Sequence, residues 1–88
     1  MPDVTNHDRA DWARAAIDTY AAATRGRSDE QRIDEANPDN AEEIISDFLA
    51  DLRHLVDELD LTVDFDDLSA RGAYHYDAEV REEAQVDA

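Results

Sequence analysis

The chain has 88 residues, with 24 Asp and Glu against 8 basic residues, every one an arginine, for a formal charge of −16 at pH 7, and it has no cysteine. A surface of that sign repels nucleic acid and anionic lipid, and without thiols there is no disulfide framework, thiolate zinc site or thiol nucleophile. A chain this short forms one domain that buries only about 60% of the surface its unfolded form exposes, which leaves little room for a large substrate cavity.

No run of apolar residues approaches the roughly twenty needed to span a bilayer, and Met1-Pro2-Asp3 does not open a basic region followed by an apolar one. The expected location is the cytoplasm, with no membrane and no direct nucleic-acid binding. Lysine is absent, Asp outnumbers Glu 16 to 8, and alanine is abundant. That composition fits the proteins of a salt-accumulating microbe, in which short hydrated carboxylates maintain solubility. In a second reading the carboxylates imitate a phosphate backbone and capture a nucleic-acid-binding protein. The acidic residues are spread along the chain without dense runs, which favours salt adaptation.

The first helix is predicted from about Asp8 to Arg25, capped by Asn6 or Asp8 and stopped by Gly26. Trp12, Ala16, Tyr20 and Ala23, flanked by Ala13 and Ile17, recur at three and four residues as one apolar stripe, which assigns Trp12 to the core. Residues 27–40 hold one large apolar residue, Ile33, and a proline, Pro38, that disfavours helix at Asn37, so this stretch reads as a solvated linker. The second helix, residues 41–59, starts from a cap at Asn40 with Glu43 three residues on. Ile44, Ile45, Phe48, Leu49, Leu52, Leu55, Val56 and Leu59 give it the broadest apolar face in the chain, at the centre of the expected core. The third helix, 65–81, is capped by Asp64, and Val63 and Leu68 are placed to form a hydrophobic staple. Phe65, Leu68, Gly72, His75 and Tyr76 lie along one side of it, and Gly72 either admits a close helix or weakens its own by about 1 kcal/mol relative to alanine. Residues 82–88 read as a frayed tail. The expected fold is all-α: residues 1–88 as a single three-helix domain, the second and third helices forming an antiparallel hairpin with the first packed across them.

Asp47-Phe48-Leu49, Asp51-Leu52-Arg53-His54, Asp64-Phe65-Asp66-Asp67-Leu68 and His75-Tyr76-Asp77-Ala78-Glu79 together resemble a motif of small, acidic, helical proteins of phages, prophages and their bacterial or archaeal hosts. The resemblance spans residues 42–79, and Gly72 stands where that family usually has alanine. It implies helical architecture and a mobile-element origin, and it transfers no catalytic residue.

Asp47, Asp51, His54 and Glu58 fall on one polar stripe of the second helix, and His75 and Glu79 share a face of the third. Carboxylates and histidines on facing helices are how bundles hold metals, so Asp47, Asp51, His54, His75 and Glu79 are the ligands that a metal-dependent enzyme or nucleotide-binding domain would use. The paired Glu-x-x-His pattern of a di-metal site is absent, and residues 57–67 lack the glycine and final glutamate of an EF-hand loop. No cofactor and no metal are expected. His75 is instead expected to be half-buried against Asp51 or Asp47. Tyr74, on the outer side of the third helix, is a candidate partner contact, and Leu52, Leu55 and Leu59 are candidates for a dimer interface. The leading expectation is a non-enzymatic protein-interaction module that binds a protein partner or, somewhat preferred, a second copy of itself. The alternatives are the small metal-dependent enzyme or nucleotide-binding domain, and a nucleic-acid mimic that blocks a DNA-binding protein.

Overall fold

The computed structural model describes residues 4–25 and 37–86, which form three helices: α1 (Asn6–Arg25), α2 (Pro38–Leu59) and α3 (Phe65–Val86), with no strand among the described residues. Of the predicted linker 27–40, residues 27–36 lie outside the described residues, as does the Gly26 stop signal; the remainder enters α2.

Each helix start is set by a side chain that satisfies an otherwise orphaned backbone N–H. At α1 the cap is Thr5, and neither Asn6 nor Asp8 takes that role. The Thr5 N–H donates to Asp8 Oδ2 at 3.0 Å and the Asp8 N–H donates to Thr5 Oγ1 at 3.1 Å, a reciprocal capping box that starts the helix two residues earlier than the pattern suggested. Asn37 caps α2, three residues before the expected Asn40: its side-chain oxygen accepts the Asn40 N–H at 3.3 Å, and Pro38 occupies the first helical position. Proline there loses no intrahelical bond and has its φ already set, while it holds Asn37 outside the helical region, at φ −133°. Asp60 ends α2 in the left-handed conformation, φ 51° and ψ 49°, with its N–H directed to the Asp57 carbonyl at 3.4 Å. Four residues later Asp64 caps α3, accepting the Asp67 N–H at 2.9 Å.

α1 packs against both other helices. Towards its C-terminal end the Tyr20 ring stands edge-on to Phe48, centroids 5.1 Å apart, and the Tyr20 hydroxyl donates to Asp51. Ala21 and Ile44 are fully buried, and they are the fully buried residues among those described. At the other end of α1, the Asn6 N–H donates to Glu83 Oε1 at 3.0 Å, the Asn6 side-chain amide donates to the Glu79 carbonyl at 3.3 Å, and Arg9 pairs with Glu79. This anchorage corrects the described part of the expected frayed tail: α3 continues through Val86, past Arg81, as Glu83 receives a backbone N–H of α1, and residues 87–88 lie outside the described residues. Between α2 and α3, the Arg53 guanidinium lies over the Phe65 ring, 5.6 Å from its centroid.

The two ends of α1 thus grip different helices. Arg9 and Tyr20 are separated by roughly 16 Å along the axis at 1.5 Å per residue. The molecule is correspondingly open. Its radius of gyration is 15.4 Å, where a compact chain of this length has about 12 Å. Trp12 is 62% exposed, which corrects its assignment to the core. It sits about 80° around the helix from Tyr20, off the line that touches α2.

Candidate interaction surface

α2 is the element whose apolar face is least covered. Ile44 is buried and Phe48 is half-buried, but Ile45 is 40% exposed, Leu49 49%, and Leu59 56%; Leu55 is similarly open. Leu52 and Val56, between them, are half-buried. The cause is geometric: α1 reaches α2 through Tyr20, along the line of Ile44, Phe48 and Asp51, and one alanine-rich helix cannot also cover residues a quarter-turn away. Leu61, in the turn before α3, and Val80, Tyr74 and Tyr76, on α3, are exposed as well. Tyr76 lies by spacing on the same side of α3 as Leu68, yet it stands out in solvent because neither neighbour covers the middle of that helix. Gly72, one turn away, has nothing within 4 Å of the place where a Cβ would sit, so it serves no close helix approach.

The polar candidates are dispersed. Asp47 and Asp51 line a shallow open groove with Glu43, Ala50, Tyr20 and Thr24, and Asp51 accepts the Tyr20 hydroxyl. His54 is exposed on α2. His75 is exposed too, its ring edge-on to Tyr74 with centroids 6.2 Å apart, and no hydrogen bond or ion pair among the described residues joins it to Asp51 or Asp47. The expected half-buried contact is therefore replaced: the carboxylate of Asp51 is taken by a phenol of α1, a partner that spacing within α2 and α3 could not reveal. Glu79 is occupied by Arg9. Among the described residues no group of three or more His, Asp or Glu side chains is placed to hold a metal ion. The acidic turn between α2 and α3 is likewise used by the backbone, since Asp60 forms the end of one helix and Asp64 caps the next.

The Asp8 carboxyl has a shifted affinity for protons. The Thr5 N–H, bound to Asp8, holds that carboxyl below its ordinary value of 3.8, with smaller help from the Thr5 hydroxyl and from His7 and Arg9.

No helix among the described residues is long and apolar enough to cross a membrane. The chain matches no protein-family model, no curated protein and no solved structure. What the residues define is an acidic three-helix unit with an uncovered apolar helix face.

Proposed function

We propose that this protein is a non-enzymatic protein-interaction module that docks a partner through the apolar face of α2, in the cytoplasm of a salt-accumulating host. The observation that carries the reading is the exposure of Ile45, Leu49, Leu55 and Leu59 on one helix of a very small core. Contiguous apolar surface of this kind is a liability in an isolated protein and is usual at a docking site. The phage-like motif in residues 42–79 adds a mobile-element origin to the proposal, and the even spread of carboxylates favours salt adaptation over imitation of nucleic acid.

The test is an apolar reporter. The environment-sensitive dye bis-ANS should bind the folded chain, and the Ile45→Ser, Leu49→Ser double variant should lose most of that signal while retaining its helical circular dichroism. Zinc and manganese should leave the melting temperature unchanged. Dye binding that ignores both substitutions, or a metal-dependent rise in melting temperature that disappears in Asp51→Ala, would replace the docking reading.

A further inference from the structure

We infer that the partner covering α2 is a second copy of this chain, paired α2 on α2 about a two-fold axis, and that salt promotes the pairing. The inference rests on the docking role proposed for α2 and adds the identity of the occupant.

Three observations point to it. The first is spacing. Ile45, Leu49, Leu52, Val56 and Leu59 follow intervals of four, three, four and three residues, the repeat by which one helix presents a continuous seam to another crossing it at a shallow angle. This seam is distinct from the ridge that meets α1: its centre lies about 90° around the helix from the line through Ile44, Phe48 and Asp51. It is also the poorly covered part, open at Ile45, Leu49 and Leu59.

The second observation is where the charges stand. Within the span of the seam α2 carries four carboxylates, Asp47, Asp51, Asp57 and Glu58. All four lie about 120° or more around the helix from the seam's centre. Along the middle of the seam the nearest charged side chain is Arg53, about 80° from its centre, while Glu42 and Asp60, one at each end of the helix, lie about 60° from it. A groove selected for a basic amphipathic partner would carry its acids along the edges of the seam. Here the edges along the middle of the seam hold Ser46, Phe48, Arg53 and Leu55, so an identical helix can approach there without setting carboxylate against carboxylate, and the end carboxylates Glu42 and Asp60 are among the charges that salt must screen.

The third is symmetry, since the open residues Ile45, Leu49 and Leu59 are the same in every copy. A two-fold pairing removes the same strip from both copies at once, and any helix that fits the seam is met by the seam itself. Each copy still carries −16, so the long-range repulsion between them must be screened before the short-range seam contacts can act.

Sedimentation equilibrium of the full chain at tens of micromolar, in dilute buffer and in molar KCl, tests this. The dimer mass should appear in molar KCl, with a Kd at least about tenfold tighter than in dilute buffer. Ile45→Glu and Leu49→Glu, each of which spares buried Ile44 and the Phe48 contact with Tyr20, should return the mass to that of a monomer with the helical circular dichroism intact. A monomer at every salt concentration overturns the inference, as does a dimer indifferent to both substitutions. In the monomer case bis-ANS separates the two levels of the argument. Dye binding that the Ile45 and Leu49 variants abolish leaves the docking role standing with a different occupant, and no dye binding removes both.

Discussion

Tyr20 joins α1 to α2 twice with one side chain, its ring edge-on to Phe48 and its hydroxyl donated to Asp51. The two contacts can be separated by substitution. Tyr20→Phe keeps the ring packing and removes the donor, and because Asp51 is exposed and can turn to water, the loss should be about 1 kcal/mol. Tyr20→Ala removes both and takes away the main apolar anchor between the helices, for a loss of about 3 kcal/mol. Urea unfolding followed by circular dichroism in high salt measures the difference. Equal losses for the two variants would mean that the hydroxyl, and not the ring, holds the helices together.

The opposite end of α1 is held by polar contacts to α3. Asn6 and Arg9 engage Glu79 and Glu83 from the far end of the sequence, the two Asn6 contacts spanning 77 and 73 residues. Glu83→Ala should lower stability by about 1 kcal/mol, since it removes a charge-assisted acceptor from the first turn of α1. A double-mutant cycle on Arg9 and Glu79, whose side chains are each about one-third exposed, should give a coupling of at most about 1 kcal/mol that shrinks with added salt. If Glu83→Ala is silent while the Arg9–Glu79 coupling persists, the backbone cap is dispensable and the ion pair alone sets the joint.

Gly72 offers a gain in stability. Nothing lies within 4 Å of the position that a Cβ would take, and the residue sits within α3. Gly72→Ala should therefore stabilise the protein by about 1 kcal/mol, the difference in helix propensity alone. A melting temperature that falls in this variant would reveal a neighbour in solution that occupies the space beside Gly72.

The sequence made the helices legible and the joints between them illegible, for physical reasons. Capping residues and apolar periodicity act over three or four positions, so the end of α2 at Leu59 and the Asp64 cap of α3 can be read locally. Two helix starts differ from the expectation: Thr5, not Asn6 or Asp8, caps α1, and Asn37, not Asn40, caps α2, because the residues that follow each of them can already adopt helical geometry. Trp12 and Tyr76 show a different failure. Spacing places a residue on a face, but it does not say how far along that face a neighbouring helix extends, and both residues stand on stretches that no other helix covers. The same limit applies to Asp51. Its stripe on α2 was visible, while its partner, Tyr20, is set by how α1 crosses, which depends on the packing of all three helices at once.

Asp8 gives a prediction in acid. Its carboxyl is held below 3.8 in the folded chain, chiefly by the Thr5 N–H. A lowered folded value means that the ionised form favours folding: the contribution is present above the unfolded value and is lost as pH falls through the folded one. Carbon-detected NMR titration should place the Asp8 midpoint below 3.8, and Asp8→Ala should flatten the part of the stability profile lying below that pH. Thr5→Ala should lower stability by about 1 kcal/mol as an N-cap loss, yet leave part of the shift in place, because the Thr5 N–H is still there to donate. A midpoint at the ordinary value in the unmodified protein would show that the capping box is open in solution.

Salt sets two opposed effects against each other. The chain carries −16, and its self-repulsion extends over a Debye length that shrinks from about 30 Å in dilute buffer to about 3 Å in molar salt. Screening that repulsion stabilises the folded state, in which the charges are closer together than in the unfolded chain. The same screening weakens the Arg9–Glu79 pair, which pulls the other way. The pair contributes at most about 1 kcal/mol, whereas the repulsion is summed over 24 carboxylates offset by 8 arginines, so repulsion wins and the melting temperature should climb from dilute buffer to molar KCl. Arg9→Met sharpens the test. It deletes the attraction that salt erodes and makes the chain one unit more negative, so its melting temperature should be lower than that of the unmodified protein in dilute buffer, rise more steeply with KCl, and converge on the unmodified value at high salt. Measurements at several protein concentrations isolate the contribution of pairing between copies, which grows with concentration, from the screening within one chain, which does not. A melting temperature that is flat or falls with KCl at every concentration would show that the carboxylates are too far apart, across three loosely packed helices, for their repulsion to govern stability.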